Sequence, residues 1–142
     1  MSILALDVGS KRIGVAVADP GETYALPVGT IQRTTLRDDL RQIAAFVESY
    51  GARDLVVGDP ITLSGARGPA AEKMDAFVEK LRTVFSGTIH RVDERLTTAQ
   101  ATKTLLAADV SRDRRKQVVD KMAAALILES YLAHRRNGEG AR

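Results

Sequence analysis

Asp7, Glu94 and Asp120 are the side chains of this chain whose types and positions best suit chemistry. Each is a carboxylate that stands where a strand ends or a helix begins. Asp7 lies in Asp7-Val8-Gly9-Ser10-Lys11-Arg12-Ile13-Gly14, directly after the short apolar run Ile3-Leu4-Ala5-Leu6. A carboxylate closing a buried strand sits where core meets solvent, and Gly9 removes a side chain that would crowd it while permitting a tight reversal. Hard oxygen ligands with room for a phosphate suit a divalent metal ion. A turn aspartate that accepts hydrogen bonds from its own backbone uses the same residues.

The second acid follows the strand Thr88 to Asp93, in Val92-Asp93-Glu94-Arg95-Leu96-Thr97. Alternation puts Ile89, Arg91 and Asp93 on one side and His90, Val92 and Glu94 on the other, so a regular strand presents only one of the two carboxylates to a given ion. Glu94 is the preferred ligand, because a helix cap at Thr97 has the chain already turning over the sheet there. Asp93 is then left to pair with an arginine or to bind the turn. The third acid, Asp120, heads the stripe 120, 123, 124, 127 and 131, which reads Asp, Ala, Ala, Ile, Tyr. A charge on a buried stripe is costly unless it is paired or metal-bound. The alternative for Asp120 is a helix N-terminal acid serving the macrodipole.

Acids so far apart in sequence converge only where the strand ends cluster, as they do when the first strand is central and later parallel strands lie beside it. Two divalent ions about 3.5–4 Å apart, bridged by Asp7, would then activate water and stabilise the departing 3′ oxygen of a phosphodiester. With no cysteine in the chain, thiolate metal sites, disulfides and a cysteine nucleophile are excluded. His90 and His134 are isolated, which argues against a histidine-rich zinc site. Carboxylate ligands favour Mg²⁺ or Mn²⁺.

The elements that must position these residues follow from periodicity. A chain of 142 residues, 44% hydrophobic and 27% charged, suits one globular domain, expected over 1–137 with a frayed tail at 138–142. No apolar run reaches the roughly 20 residues that cross a bilayer, and no signal peptide is expected. Strands are expected at Ile3–Asp7, Arg12–Ala18 and about Ala25–Gln32, joined as an antiparallel meander. A helix follows over Thr35–Tyr50, with Leu36, Leu40, Ile43, Ala44 and Val47 on one face and Gly51 ending it. Next come a buried strand, Asp54–Gly58, a loop, Asp59–Pro69, and a second helix carrying Met74, Phe77, Val78, Leu81 and Phe85. After the strand Thr88–Asp93, Thr97-Thr98-Ala99-Gln100 is a capping box that opens a third helix to about Ala108. A basic loop then leads to a last helix, Val118 to about Arg135. The pattern predicts an α/β fold with a mixed five-stranded sheet, three antiparallel strands and then two parallel, covered by helices.

The net charge of +3 is uneven: residues 111–142 carry +4 and residues 1–110 carry −1. Arg114, Arg115 and Lys116 form the densest basic run, read as a flexible loop that binds a phosphate backbone beside the acids, although a solvated face has the same composition. Lys11, Arg12 and Arg95, neighbours of the acids, are expected to join that contact.

These segments resemble the YqgF/RuvX family, whose fold is that of ribonuclease H and the Holliday-junction resolvases. The resemblance rests on Leu6-Asp7-Val8-Gly9-Ser10-Lys11-Arg12-Ile13-Gly14-Val15-Ala16, Val56-Val57-Gly58-Asp59-Pro60, Asp93-Glu94-Arg95-Leu96-Thr97-Thr98 and Val119-Asp120-Lys121-Met122-Ala123-Ala124, and it covers essentially the whole chain. It implies a ribonuclease H-like fold, with Asp7, Glu94 and Asp120 as catalytic and metal-binding acids, which decides for Glu94 over Asp93. It also implies a cytoplasmic bacterial nuclease that matures the 5′ end of pre-16S ribosomal RNA. Two positions depart from the family pattern. Lys121 stands where a small residue is usual, and Asp59 stands where an apolar or amide residue is commoner and is expected to add a negative charge near the site.

Four functions compete. The first is an endonuclease acting on structured RNA. The second is a resolvase of branched DNA, which needs a dimer to present two sites to two strands; the chain itself is expected to be a monomer or a weak homodimer. The third is an actin-like or sugar-kinase ATPase, which needs two such domains. The last is a non-catalytic nucleic-acid-binding transcription factor, disfavoured because carboxylates near phosphates weaken a binder.

Overall fold

The computed structural model describes residues 2–59, 68–93 and the helix at 112–136. The expected helix at 97–108, Glu94, Arg95, most of the loop after Asp59 and the tail lie outside the described residues.

The described elements run β1 (Ser2–Val8), β2 (Arg12–Ala18), β3 (Ala25–Gln32), α1 (Leu36–Tyr50), β4 (Ala52–Asp59), α2 (Pro69–Leu81), β5 (Thr88–Asp93) and α3 (Arg112–Arg136). The five strands form one sheet in the order β3-β2-β1-β4-β5. β1 is central, antiparallel to β2 and parallel to β4, which in turn is parallel to β5. The C-terminal ends of β1, β4 and β5 therefore share one rim, called here the upper rim. The turn between β2 and β3 lies at the opposite, lower rim.

Alternation divides the strands between two cores. Leu4, Leu6, Ile13, Val15, Leu55 and Val57 face α1 and α2, where they meet Leu40, Ile43, Met74, Phe77, Val78 and Leu81. Ile3, Ala5, Ala16 and Val56 face α3 and pack on Ala123, Ala124, Ile127, Leu128 and Tyr131. β1 is buried on both faces, which is why its sequence is continuously apolar rather than alternating. Each fully buried aliphatic side chain contributes about 1.5–3 kcal/mol.

Local chemistry sets the helix limits. Thr35 caps α1, its hydroxyl accepting from the Asp38 N–H at 3.1 Å. Gly51 ends the helix in the left-handed conformation, at φ 61°. Of the expected stripe, Leu40 and Ile43 are buried while Leu36 is 39% exposed. Pro69 opens α2 rather than closing a loop, since its missing N–H has no partner to lose in a first turn. The same helix stops at Leu81, and Phe85 reaches the core from the segment beyond it. The Thr83 and Val84 N–H groups bond back to the carbonyls of Lys80 and Leu81, and the chain then folds so closely that a Cβ on Gly87 would stand 2.5 Å from the Phe85 ring.

The largest departure is at α3. It begins at Arg112 rather than Val118, so Arg114, Arg115 and Lys116 belong to a helix and not to a flexible loop. The segment 112–117 has neither Gly nor Pro, and Arg, Lys and Gln are good helix formers. Among the described residues no helix is long and apolar enough to cross a membrane.

Candidate active site

Asp7 is the penultimate residue of β1 and is 4% exposed. It shares the parity of Ile3 and Ala5, so it lies on the face covered by α3. Its antiparallel partner is Gly14, and the parallel register that pairs Leu6 with Val57 brings Gly58 alongside on β4. Neither neighbour presents a side chain to Asp7. Glycine inside a strand marks a close approach. Gly14 and Gly58 carry that signal in the sequence, where the reading of the acids gave them no role.

The turn after Asp7 is held from two sides. Gly9 N–H donates to the Arg12 carbonyl at 2.8 Å, and a Cβ on Gly9 would lie 2.9 Å from that oxygen. Arg33, just beyond β3, donates from Nη1 to the Gly9 carbonyl at 2.9 Å and from Nε to Asp39 at 3.0 Å. Asp39 is 1% exposed and also accepts from the Thr34 N–H at 3.0 Å. A buried carboxylate thus fixes an arginine that fixes the loop beside Asp7. Sequence reasoning missed this clamp, because Arg33 and Gly9 are 24 positions apart and no periodicity links them.

The direction of α3 decides where position 120 lies. Near its C-terminus, Arg135 pairs at 3.0 Å with Glu22 in the β2–β3 turn, at the lower rim. That turn is itself ordered by Asp19, which accepts from the Gly21, Thr23 and Tyr24 N–H groups. These bonds, Tyr24 first, hold the Asp19 carboxyl below its usual 3.8. Higher up the sheet, the Tyr131 ring packs against His90 of β5, with centroids 4.8 Å apart. From Arg135 back to position 120 a helix rises about 22 Å, close to the roughly 23 Å that the seven residues of β1 span. The backbone of Asp120 therefore lies toward the upper rim, one turn before the fully buried Ala123 and Ala124. The first eight residues of α3, with Arg114, Arg115 and Lys116, extend about 12 Å further.

On β5, Ile89 packs toward α1 and α2, Arg91 bonds to Asp75 of α2, and Val92 packs toward α3. Asp93 shares the parity of Arg91 and so takes the face opposite Asp7. Asp59, expected to add charge near the site, also takes that opposite face. It ends β4 with the parity of Leu55 and Val57, is 6% exposed, and accepts from Arg91 Nη2 at 2.9 Å. The family departure at Asp59 thus serves an ion pair.

Lys11 is exposed in the β1–β2 turn, and Arg12, half-buried, opens β2 with the parity of Gly14, on the Asp7 face. His90 Nε2 lies 2.9 Å from Asp54, which occupies it away from any metal. Among the described residues no three acidic, histidine or cysteine side chains converge on a metal-sized site. Among the described residues, the carboxylate at the upper rim on the α3 face is that of Asp7, a hard oxygen donor of the kind a divalent cation takes.

The chain matches the family model described as RuvX, Holliday junction resolvase, over residues 1–134. It is 45% identical over 138 residues to a protein of Desulforudis audaxviator provisionally named a pre-16S rRNA nuclease, covering 97% of this chain and 98% of that protein. A protein of Geobacillus kaustophilus with the same name is 46% identical over 138 residues, covering 96% of this chain and all of its own length (100%). Among solved structures, T. thermophilus RuvC in complex with Holliday junction substrate matches with a TM-score of 0.58 at 13% identity, covering 97% of this chain and 96% of that one. At that identity the likeness shows the fold alone, and the fold is the ribonuclease H-like arrangement expected from the sequence.

Proposed function

This chain belongs to the RuvX family, and from that premise we propose that it is a divalent-metal-dependent endonuclease that hydrolyses phosphodiester bonds in the 5′-end maturation of pre-16S rRNA. The observation that carries the reading is Asp7, a carboxylate almost wholly buried at the upper rim, with glycines beside it on both neighbouring strands. A carboxylate in that place offers hard oxygen ligands to a divalent cation.

Asp7, Glu94 and Asp120 would hold the metal. β4 separates β1 from β5, so the ends of these two strands are about 10 Å apart. When bound, such ions supply Lewis-acid stabilisation of charge on the phosphodiester and lower the pKa of water. The chain's own residues orient and hold. Arg33 and Asp39 fix the turn after Asp7, the small Ala123 and Ala124 let α3 lie close on β1, and the basic first turns of α3 attract the phosphate backbone. Cytoplasmic location follows from a pre-rRNA substrate.

The family description supports a second reading, resolution of four-way DNA junctions. Purified protein tested with Mg²⁺ or Mn²⁺ on a 5′-extended 16S precursor, single-stranded RNA and a four-way junction separates them. Site-selective cleavage of the precursor is expected. Cleavage of the junction alone would transfer the function to DNA, and no metal-stimulated cleavage of any substrate would sink both readings.

A further inference from the structure

A cleft of about 450 Å³ opens at the upper rim on the side of β1 away from Asp7. Its floor is apolar, formed by Val8, Met74 and Phe77, and its walls carry Arg33, Lys73 and the Gly9 backbone. The volume falls within the roughly 300–1,000 Å³ of sites for small organic ligands. No acidic side chain lines it among the described residues.

The charges in the cleft are unequal. Asp39 offsets Arg33, which is also pinned to the Gly9 carbonyl and lies 5.3 Å over the Phe77 ring. Lys73 is exposed on α2 and has no ion-pair partner among the described residues. The cleft thus joins one uncompensated cation to a rigid, mostly apolar pocket. A ligand with a flat apolar body and a single anionic group matches both features, and a nucleotide within a strand is such a ligand. Gly9 and Val8, which border the cleft, directly follow Asp7, so one strand passing over the rim would engage both sides of β1.

We propose that this cleft binds one nucleotide of the substrate strand next to the phosphodiester held at Asp7, with the phosphate toward Lys73 and the base over the Val8, Met74 and Phe77 floor. The inference rests on the nuclease reading, and it adds a subsite on the α2 face of the sheet. Because Arg33 is fixed before binding, little ordering opposes occupancy.

The test uses the full chain in EDTA, with ribo- and deoxyribo-pentanucleotides as probes. The chain has three methionines, Met1, Met74 and Met122, so methyl resonances separate the cleft from the α3 face. A saturable shift of the Met74 methyl is expected with either probe. Lys73→Glu should weaken binding about tenfold and reduce the salt slope by about 0.7 to 1.4, since the substitution removes one phosphate-neutralising charge and adds a repelling one. Lys80→Glu, which makes the same charge change about 10 Å further along the same helix face, should weaken it less than about twofold. Binding that shifts Met122 but not Met74, or that the two variants weaken equally, overturns the subsite and leaves the nuclease reading intact. No binding of either probe, together with metal-dependent cleavage of the precursor, also overturns the subsite alone. No binding and no cleavage overturn both.

Discussion

Arg91 Nη2 stands 2.9 Å from Asp59 Oδ1, so a guanidinium on β5 closes on the carboxylate that ends β4. Its Nη1 reaches Asp75 on α2 at 2.5 Å, which ties the two strand ends to the helix above them. Among the described residues, the Nε of the same arginine is buried without a hydrogen-bond partner. Removing Asp59 therefore leaves a guanidinium with one anchor fewer. Asp59→Ala should lower stability by about 2 kcal/mol, less than a fully buried pair would cost because Arg91 is 27% exposed. Thermal melting checks this: a fall of about 5–10 °C is expected for a domain of this size, and an unchanged Tm contradicts it.

Asp7→Asn should abolish metal-dependent cleavage, by at least about 100-fold, and leave the melting temperature level or higher. The substitution removes one buried charge at nearly constant shape, so any repulsion from other acids at the rim is relieved. Gel-based cleavage and a melt on the same preparation decide it. Full activity in a folded Asp7→Asn protein is incompatible with the proposed mechanism.

Glu94 and Asp93 should separate cleanly. Glu94→Gln is expected to lose turnover while binding stays nearly unchanged, because a metal ligand is removed and the basic turns of α3 are untouched. Asp93, on the α2 face, should act through stability, with Asp93→Asn costing about 1–3 kcal/mol. Single-turnover rates and melts on both variants are the measurements. A folded but inactive Asp93→Asn beside an active Glu94→Gln would reverse the assignment.

Replacing Arg114, Arg115 and Lys116 together by Ala should weaken RNA binding and reduce its salt slope by about 2, at about 0.7 for each single-strand phosphate no longer neutralised. Because these residues lie in a helix, Ala preserves or raises local helicity. A circular dichroism spectrum that is unchanged, with a salt slope that falls, is the expected pair of results. An unchanged slope returns the cluster to a solvated face.

The sheet was largely legible in the sequence. Ile3-Leu4-Ala5-Leu6 and Leu55-Val56-Val57 read as strands buried on both faces, and their parity places Asp7 and Asp59 correctly once the two cores are known. The antiparallel meander and the parallel later strands also followed from the alternation of elements, whereas the central place of β1 stood there only as the condition for the acids to converge. The limits of the helices did not. Leu81 and Phe85 keep a helical spacing, yet the bonds from Thr83 and Val84 end α2 before Phe85, a tertiary choice that periodicity does not encode. A run of like charges suggested a loop at 112–117, where helix propensity prevails instead. Of the site, the acids carried a signal in their positions at element ends. The partners that hold those elements, such as Arg33 on Gly9 and Arg91 on Asp59, lie 24 and 32 residues apart and carried none.

The contact between Tyr131 and His90 has a consequence for how this helix can change length. Positions 120 and 131 are eleven residues apart, three turns of helix with only about 20° left over, so both fall in nearly the same phase around the axis. Deleting one residue between them would swing position 120 by about 100° and draw it back about 1.5 Å while Tyr131 stayed on β5. The helix thus acts as a ruler with a fixed phase. Insertions between the anchor and the acid preserve the site's azimuth only in steps of whole turns, near seven or eleven residues, and each such step would carry the acid well past the rim. Under the proposed mechanism the length of α3 between Asp120 and Tyr131 is therefore a constraint as strict as the identity of either residue.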